Sequence, residues 1–298
     1  MKGKSIEDFI DSLGIKLPPH EKFLKLSETF KINPIREKER SILNYERGIL
    51  LYALITKYRP KTVLEIGRAL GYSTMCMAWA MSENDIDGKI FSVDPNPIDI
   101  PRKMLVDFDE SKPASVIEMS TMDLWKTYAK SEWIEKIAPI VSYSDELLER
   151  DIPKVDFCYI DGHHIREAVI CDFHILLQKA SRSFLCLFDD YTDPSEVKDA
   201  IDIEILPHCE IQFIDTNYKD RVKTLFDLDK FNKTQMCLVE SSSFKAPLED
   251  IYQKDHSLKQ IMNYRKLRKR WNNRKKLNRF IPFLGKIKFK DLLASQHD

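Results

Sequence analysis

No pair of cysteines in this chain stands in a C-x-x-C arrangement, and the six present (Cys76, Cys158, Cys171, Cys186, Cys209, Cys237) follow no regular spacing. That argues against a zinc ribbon and a disulfide framework, and fits reduced thiols acting as small apolar residues. No uncharged apolar run approaches the ~18 residues needed to cross a bilayer. Glu7, Asp8 and Asp11 fall where a signal peptide would need apolar residues. The expectation is a cytoplasmic protein that is neither exported by a signal peptide nor membrane-spanning. No internal repeat or low-complexity segment interrupts the body. With 298 residues, 43% hydrophobic and 32% charged, the chain suits one substantial core with appendages.

Net charge is missing too, yet the zero hides an asymmetry. Residues 251–298 hold 14 Lys and Arg against Asp255, Asp291 and Asp298, a local charge of +11 that leaves −11 on the rest. A body and a basic tail are different physical objects.

Residues 1–60 read as helical. Ser5 precedes IEDFIDSL as a cap, Pro18-Pro19 breaks the pattern, HEKFLKLSETF resumes it, and RGILLYALITKY ends before Pro60. The period then changes. KTVLEIG, KIFSVD, APIVSYS, KVDFCYID, SFLCLFDD, ILPHCEIQFID and TQMCLVE are short apolar runs suited to buried strands, separated by helix-length segments. Residues 102–135 read as a long helical insertion. Alternating β and α units predict a doubly wound α/β fold, a mostly parallel Rossmann-like sheet with helices on both faces. The division is a helical cap at 1–60, a sheet domain at 61–243 and a basic helical tail at 244–298.

In such sheets ligands bind beyond the carboxyl ends of the strands. Reading those ends gives Glu65-Ile66-Gly67, Asp94, Tyr143-Ser144, Asp161-Gly162-His163-His164 and Asp189-Asp190. Acids gathered there repel one another and lose hydration, which a scaffold has no reason to arrange. Gly67 and Gly71 stand as G-x-x-x-G, not the G-x-G-x-x-G that cradles a dinucleotide pyrophosphate, and this disfavours a nicotinamide-dependent oxidoreductase. Asp94 ends the second strand, where a carboxylate can accept both hydroxyls of a ribose.

The string ITKYRPKTVLEIGRALGYST, with Asp94, resembles the class I S-adenosylmethionine (SAM)-dependent methyltransferases, and the resemblance runs from about residue 45 to 240. Within that family it is similar to the catechol and caffeoyl-CoA O-methyltransferases and to the macrocin-type sugar O-methyltransferases. The resemblance implies a seven-stranded sheet in which Glu65, Gly67, Gly71 and Ser73 line the methionine end of SAM, Asp94 holds the ribose, and Tyr143 and Ser144 lie near the adenine. Arg68 departs from the small or apolar residue usual there.

Three carboxylates converging from YIDGHH and LFDDY need neutralising, and an oxygen-rich set suits a hard divalent ion, Mg2+ first. The resemblance agrees, mapping metal ligands onto Asp161, Asp189 and Asp190. Capping of the following turn is the competing role for Asp189 and Asp190. An alcohol acceptor needs a base, and His163 and His164 are the candidates, with the choice open. The acceptor implied is a hydroxyl of a small molecule, sugar or glycan. The tail has three readings: a helix packed on the acidic body, an anchor on an anionic membrane at the cytoplasmic face, or contact with an anionic polymer. Nucleic acid is the least favoured partner, and a homo-oligomer is compatible with the sequence. A non-catalytic or metal-independent SAM-binding protein that docks through this tail is the alternative function.

Overall fold

The change of period after residue 60 marks where helices give way to a sheet. In a computed structural model of the chain, residues 3–30, 33–34, 45–106, 115–192, 195–223 and 229–280 are described. A two-residue strand β1 (Lys4–Ser5) leads into α1 (Ile6–Leu13), whose cap is Ser5: its side chain accepts the Asp8 amide, and Gly14 closes the helix in the left-handed region. After Pro18-Pro19 come α2 (His20–Phe30) and the short β2 (Asn33–Pro34), then α3 (Glu46–Tyr58).

Next, β3 (Thr62–Ile66), α4 (Tyr72–Glu83) and β4 (Lys89–Asp94) form the first β-α-β unit. Two strands follow, β5 (Arg102–Val106) and β6 (Ser115–Met119), then α5 (Thr121–Tyr128), α6 (Ser131–Ile134) and β7 (Ile137–Val141). A 3-10 turn (Ser144–Glu149) leads to β8 (Val155–Ile160), α7 (Arg166–Lys179), β9 (Ala180–Tyr191) and α8 (Glu196–Glu204). A long antiparallel pair, β10 (Cys209–Lys223) and β11 (Asp229–Phe244), precedes α9 (Leu248–Ile251) and α10 (Lys254–Phe280).

The main sheet has eight strands in the order β1-β10-β11-β9-β8-β3-β4-β7. The doubly wound sheet expected from the sequence is present, and β1, pairing parallel with β10 at the edge, is the strand beyond the seven expected. The chain lays β4 and β7 outward on one side of β3, then crosses back to lay β8 and β9 on the other, all parallel. That reversal opens a crevice at the carboxyl ends of the central strands. Along β8 the side chains alternate: Phe157 and Tyr159 join the layer with α1–α4, while Cys158 and Ile160 join the layer with α7, α8 and α10. Burying such a side chain fully stabilises the fold by roughly 1.5–3 kcal/mol. All six cysteines are buried and unbridged.

The helical reading of 102–135 is corrected in its first half. There β5 and β6 pair antiparallel and β2 adds to β5, making a separate three-stranded sheet. The signal is a short alternation, with Val116 and Glu118 exposed and Ile117 and Met119 half-buried. Among the described residues no helix is long and apolar enough to cross a membrane.

Candidate active site

Beyond the strand ends lies a cavity of about 550 Å³. Four successive strand ends line it: Ile66-Gly67 from β3, Val93-Asp94 with Asn96 from β4, Ser142-Tyr143-Ser144 after β7, and Asp161 to His164 after β8. Its remaining wall is α10, through Tyr264, Arg268, Trp271 and Asn272.

Gly67, Asp94, Tyr143 and Ser144, four of the residues expected to hold a donor, therefore face one cavity. Gly67 has φ +98°, and a Cβ there would lie 1.8 Å from the Asp161 carbonyl oxygen, so only glycine lets the ends of β3 and β8 meet. Asp94 takes the Ala69 amide at 3.0 Å on one oxygen, and the Asn96 amide and side chain at 2.7 and 2.8 Å on the other. Those bonds hold the carboxylate still at the rim while leaving lone pairs free.

Glu65, Gly71 and Ser73 lie behind the loop rather than on the cavity wall. Glu65 is fully buried and accepts from Ser73 (2.5 Å), Thr74 (2.6 Å) and Ser92 (2.5 Å). Burial pushes its carboxyl up, and the three hydroxyl bonds oppose that. Gly71, at φ +97°, leaves room for the Trp125 ring, whose Nε1 donates to the Leu70 carbonyl at 2.8 Å. Arg68 points inward, 2% exposed, and donates to the carbonyls of Ser92 (2.7 Å) and Asn96 (3.2 Å), tying the loop to β4.

Asp161, Asp189 and Asp190 converge beside this cavity, at the ends of the neighbouring strands β8 and β9. Tyr159 donates to Asp189 at 2.5 Å and reaches Asp161 at 3.2 Å. His164 Nε2 lies 3.0 Å from Asp190 Oδ2 and 3.5 Å from Asp161 Oδ1. The hydrogen bond to Asp161, with the nearby carboxylate charges, pushes this imidazole up to about 9 against the opposing effect of burial. Asp190 sits at φ +58°, a left-handed conformation that costs a non-glycine residue energy and recurs at functional sites. His163 lines the cavity and meets Trp271 edge-on, with ring centroids 5.5 Å apart.

Sequence reasoning missed Arg47. It projects from the first turn of α3, with Nε 2.9 Å from Asp189 Oδ2 and Nη2 2.5 Å from Asp190 Oδ1. The available signal was indirect: three converging acids demand a cation, and Arg47 stands in the first turn of a helix whose middle is apolar. Asp189 is thereby committed to Arg47 and Tyr159, whereas Asp161, His164 and Asp190 each offer an atom to one spot, all within 4.8 Å of one another. A hard divalent cation suits these two carboxylates, because the group now spanning them is an exposed imidazole that can turn away.

Asp172 on α7 was also missed. It borders the cavity, is 2% exposed, and its Oδ1 has no hydrogen-bond partner among the described residues. Burial raises its carboxyl to about 7.

Residues 64–191 match the family model described as a methyltransferase domain. This segment is therefore similar to methyltransferase domains. The match spans β3 to β9 and so includes β3, β4, β7 and β8, the strands whose ends build the cavity. No curated protein matches the sequence. Among solved structures the chain is similar to the SAH-bound methyltransferase PaMTH1 of Podospora anserina, with 11% identity, 81% of this chain and 94% of that chain covered, and a TM-score of 0.48. It is also similar to the O-methyltransferase TomG of Streptomyces achromogenes, involved in tomaymycin synthesis and in complex with SAM, at 13% identity, 78% and 95% coverage and a TM-score of 0.47. A third is the Bacillus cereus O-methyltransferase in complex with SAH, at 12% identity, 78% and 96% coverage and a TM-score of 0.45.

What lies outside the matched segment completes the cavity. Arg265 bonds Asp145 at 2.9 Å and Glu149 at 2.6 Å, and Arg268 bonds Asp145 at 2.7 Å and Glu146 at 3.0 Å. The Arg268 guanidinium also stacks 4.2 Å above the Tyr143 ring. Of the three readings of the tail, packing on the acidic body describes α10. Its outward face keeps Lys259, Lys266, Lys269 and Arg270 exposed. The membrane reading rests on Trp271, Phe280, Ile281, Phe283 and Leu284 dipping into the interface; Trp271 instead lines the cavity, and Ile281, Phe283 and Leu284 lie outside the described residues.

Proposed function

We propose that this chain transfers a methyl group from SAM to a hydroxyl oxygen of a small molecule, sugar or glycan. The observation that carries the proposal is the juxtaposition of a nucleoside-sized cavity, rimmed by Asp94, with Asp161, His164 and Asp190 at its edge. Methyl transfer from a sulfonium is an in-line displacement: the acceptor oxygen attacks, the S–C bond breaks, and the hydroxyl proton leaves to a base. Asp94 would hold the ribose, and Tyr143 and Ser144 the adenine side of the donor. His163 or His164 would take the proton. Asp161 and Asp190 would hold a divalent cation. Such an ion, when bound, lowers the acceptor hydroxyl's pKa.

Arg47 supports a second reading, transfer without a metal, in which a guanidinium neutralises Asp189 and Asp190 and the acids only orient His164. One assay separates the two. Labelled SAM is supplied to the purified protein with an extract of candidate hydroxyl acceptors, with and without a divalent-ion chelator. The metal-assisted reading expects a methyl ether whose yield falls at least about 100-fold with the chelator, and a comparable loss in Asp161→Asn while SAM binding by calorimetry is retained. Equal yield with and without the chelator supports the Arg47 reading. Binding of SAM without product in any arm leaves a non-catalytic binder.

A further inference from the structure

A second polar cluster lies where α7, α8 and the start of α10 meet, and the methyl-transfer chemistry does not use it. His174 on α7 is fully buried, Glu204 ends α8, and His256 opens α10 with 46% of its side chain exposed. The Glu204 Oε1 lies 2.8 Å from His174 Nε2 and 3.2 Å from His256 Nε2. All three groups offer ligand atoms within 4.8 Å of one another.

We propose that His174, Glu204 and His256 form a zinc site that clips the start of α10 to the body. Zinc binds imidazole nitrogen and carboxylate oxygen at about 2.0–2.1 Å, so two ligands of a tetrahedral ion stand roughly 3.3 Å apart. Both carboxylate–imidazole separations fall near that value, and an ion needs only small outward shifts of the ligands. Two imidazoles and one carboxylate form a mixed nitrogen and oxygen set that suits zinc better than magnesium or calcium. The exposed side of His256 leaves the fourth position to water. His174 also carries the second partner that a metal-binding imidazole requires: its Nδ1 is 3.0 Å from the Ser257 hydroxyl, which belongs to a residue only 1% exposed. With Nδ1–H donating to Ser257, the Nε2 lone pair faces the cluster. The same geometry without an ion is a carboxylate bridged by two imidazole N–H groups, and the experiment distinguishes the two.

Full-length protein is stripped of metal, loaded with zinc, desalted and assayed for bound zinc, with calorimetry giving affinity. The expected result is about one retained zinc that survives Asp161→Asn/Asp190→Asn, is lost in His256→Ala, and is held about tenfold more weakly in Ser257→Ala. His256 is half-exposed, so His256→Ala keeps the fold, which thermal melting checks. The site is refuted if wild-type protein retains no zinc, or if His256→Ala retains as much as wild type. It is equally refuted if the strand-end double variant is the one that loses the ion.

Discussion

Asp172 sits in an environment far from what its side chain prefers. It packs against Gly162 at the cavity's edge, so close that a Cβ at 162 would stand 2.9 Å from its Oδ2. Burial lifts its carboxyl from 3.8 to about 7, and each tenfold weakening of its acidity is worth about 1.4 kcal/mol. The sign follows from linkage: the unfolded chain releases this proton near pH 4 and the folded chain near pH 7, so folding loses stability as pH rises between them. Asp172→Asn should therefore melt higher than wild type at pH 8, by a margin on the order of 2–4 kcal/mol that shrinks by more than half at pH 5. Thermal denaturation across that range checks this, and a margin independent of pH contradicts it. Arg47 presents the opposite case, a buried cation that exists for its partners. Its effect on Asp189 and Asp190 crosses more than 140 residues of sequence, which is why no local pattern points to it.

At the scale of elements, β3, β4 and β8 are legible because each is a five- or six-residue, largely apolar run that ends at, or just before, an acid or glycine. Buried strands must read that way, and their ends must turn polar where they meet a ligand. The loop after β3 is legible as a loop but not in its contacts: Glu65 and Gly71 serve the packing of Ser92 and Trp125 behind the cavity wall. The β5–β6 pair passes for helix because its alternation lasts only five residues per strand. The α10 helix is harder still. Its buried face is Ser257, Ile261, Tyr264 and Arg268, a face with two polar members, so an apolar stripe can only drift. The docked face nevertheless brings Trp271 to His163 and the cavity. Trp271→Ala should weaken SAM binding about tenfold, ~1.4 kcal/mol, with little change in melting temperature, as calorimetry and thermal melting would show. Unchanged affinity would mean that α10 merely covers the donor site.

For the whole molecule, the charge split of +11 and −11 finds its structural meaning in Asp145. This carboxylate is fully buried and receives both Arg265 and Arg268. Exposed pairs fade with salt, since the screening length falls from about 10 Å at 0.1 M to about 3 Å at 1 M, but buried pairs are screened far less. Amide exchange in residues 261–268 should then change by less than about threefold between 0.05 and 0.5 M salt. A collapse of protection would mean that the helix is held only by long-range attraction between two oppositely charged bodies.

The placement of α10 also sets an order of events during synthesis. Among the described residues every strand precedes Lys245, so the sheet can form with its strand ends already in place. The remaining wall of the cavity arrives only with Tyr264, Arg268 and Trp271. A nascent chain therefore passes through a stage with a finished scaffold and an open-sided pocket, and a ligand that needs the α10 wall meets it only after the strands of the sheet have been made.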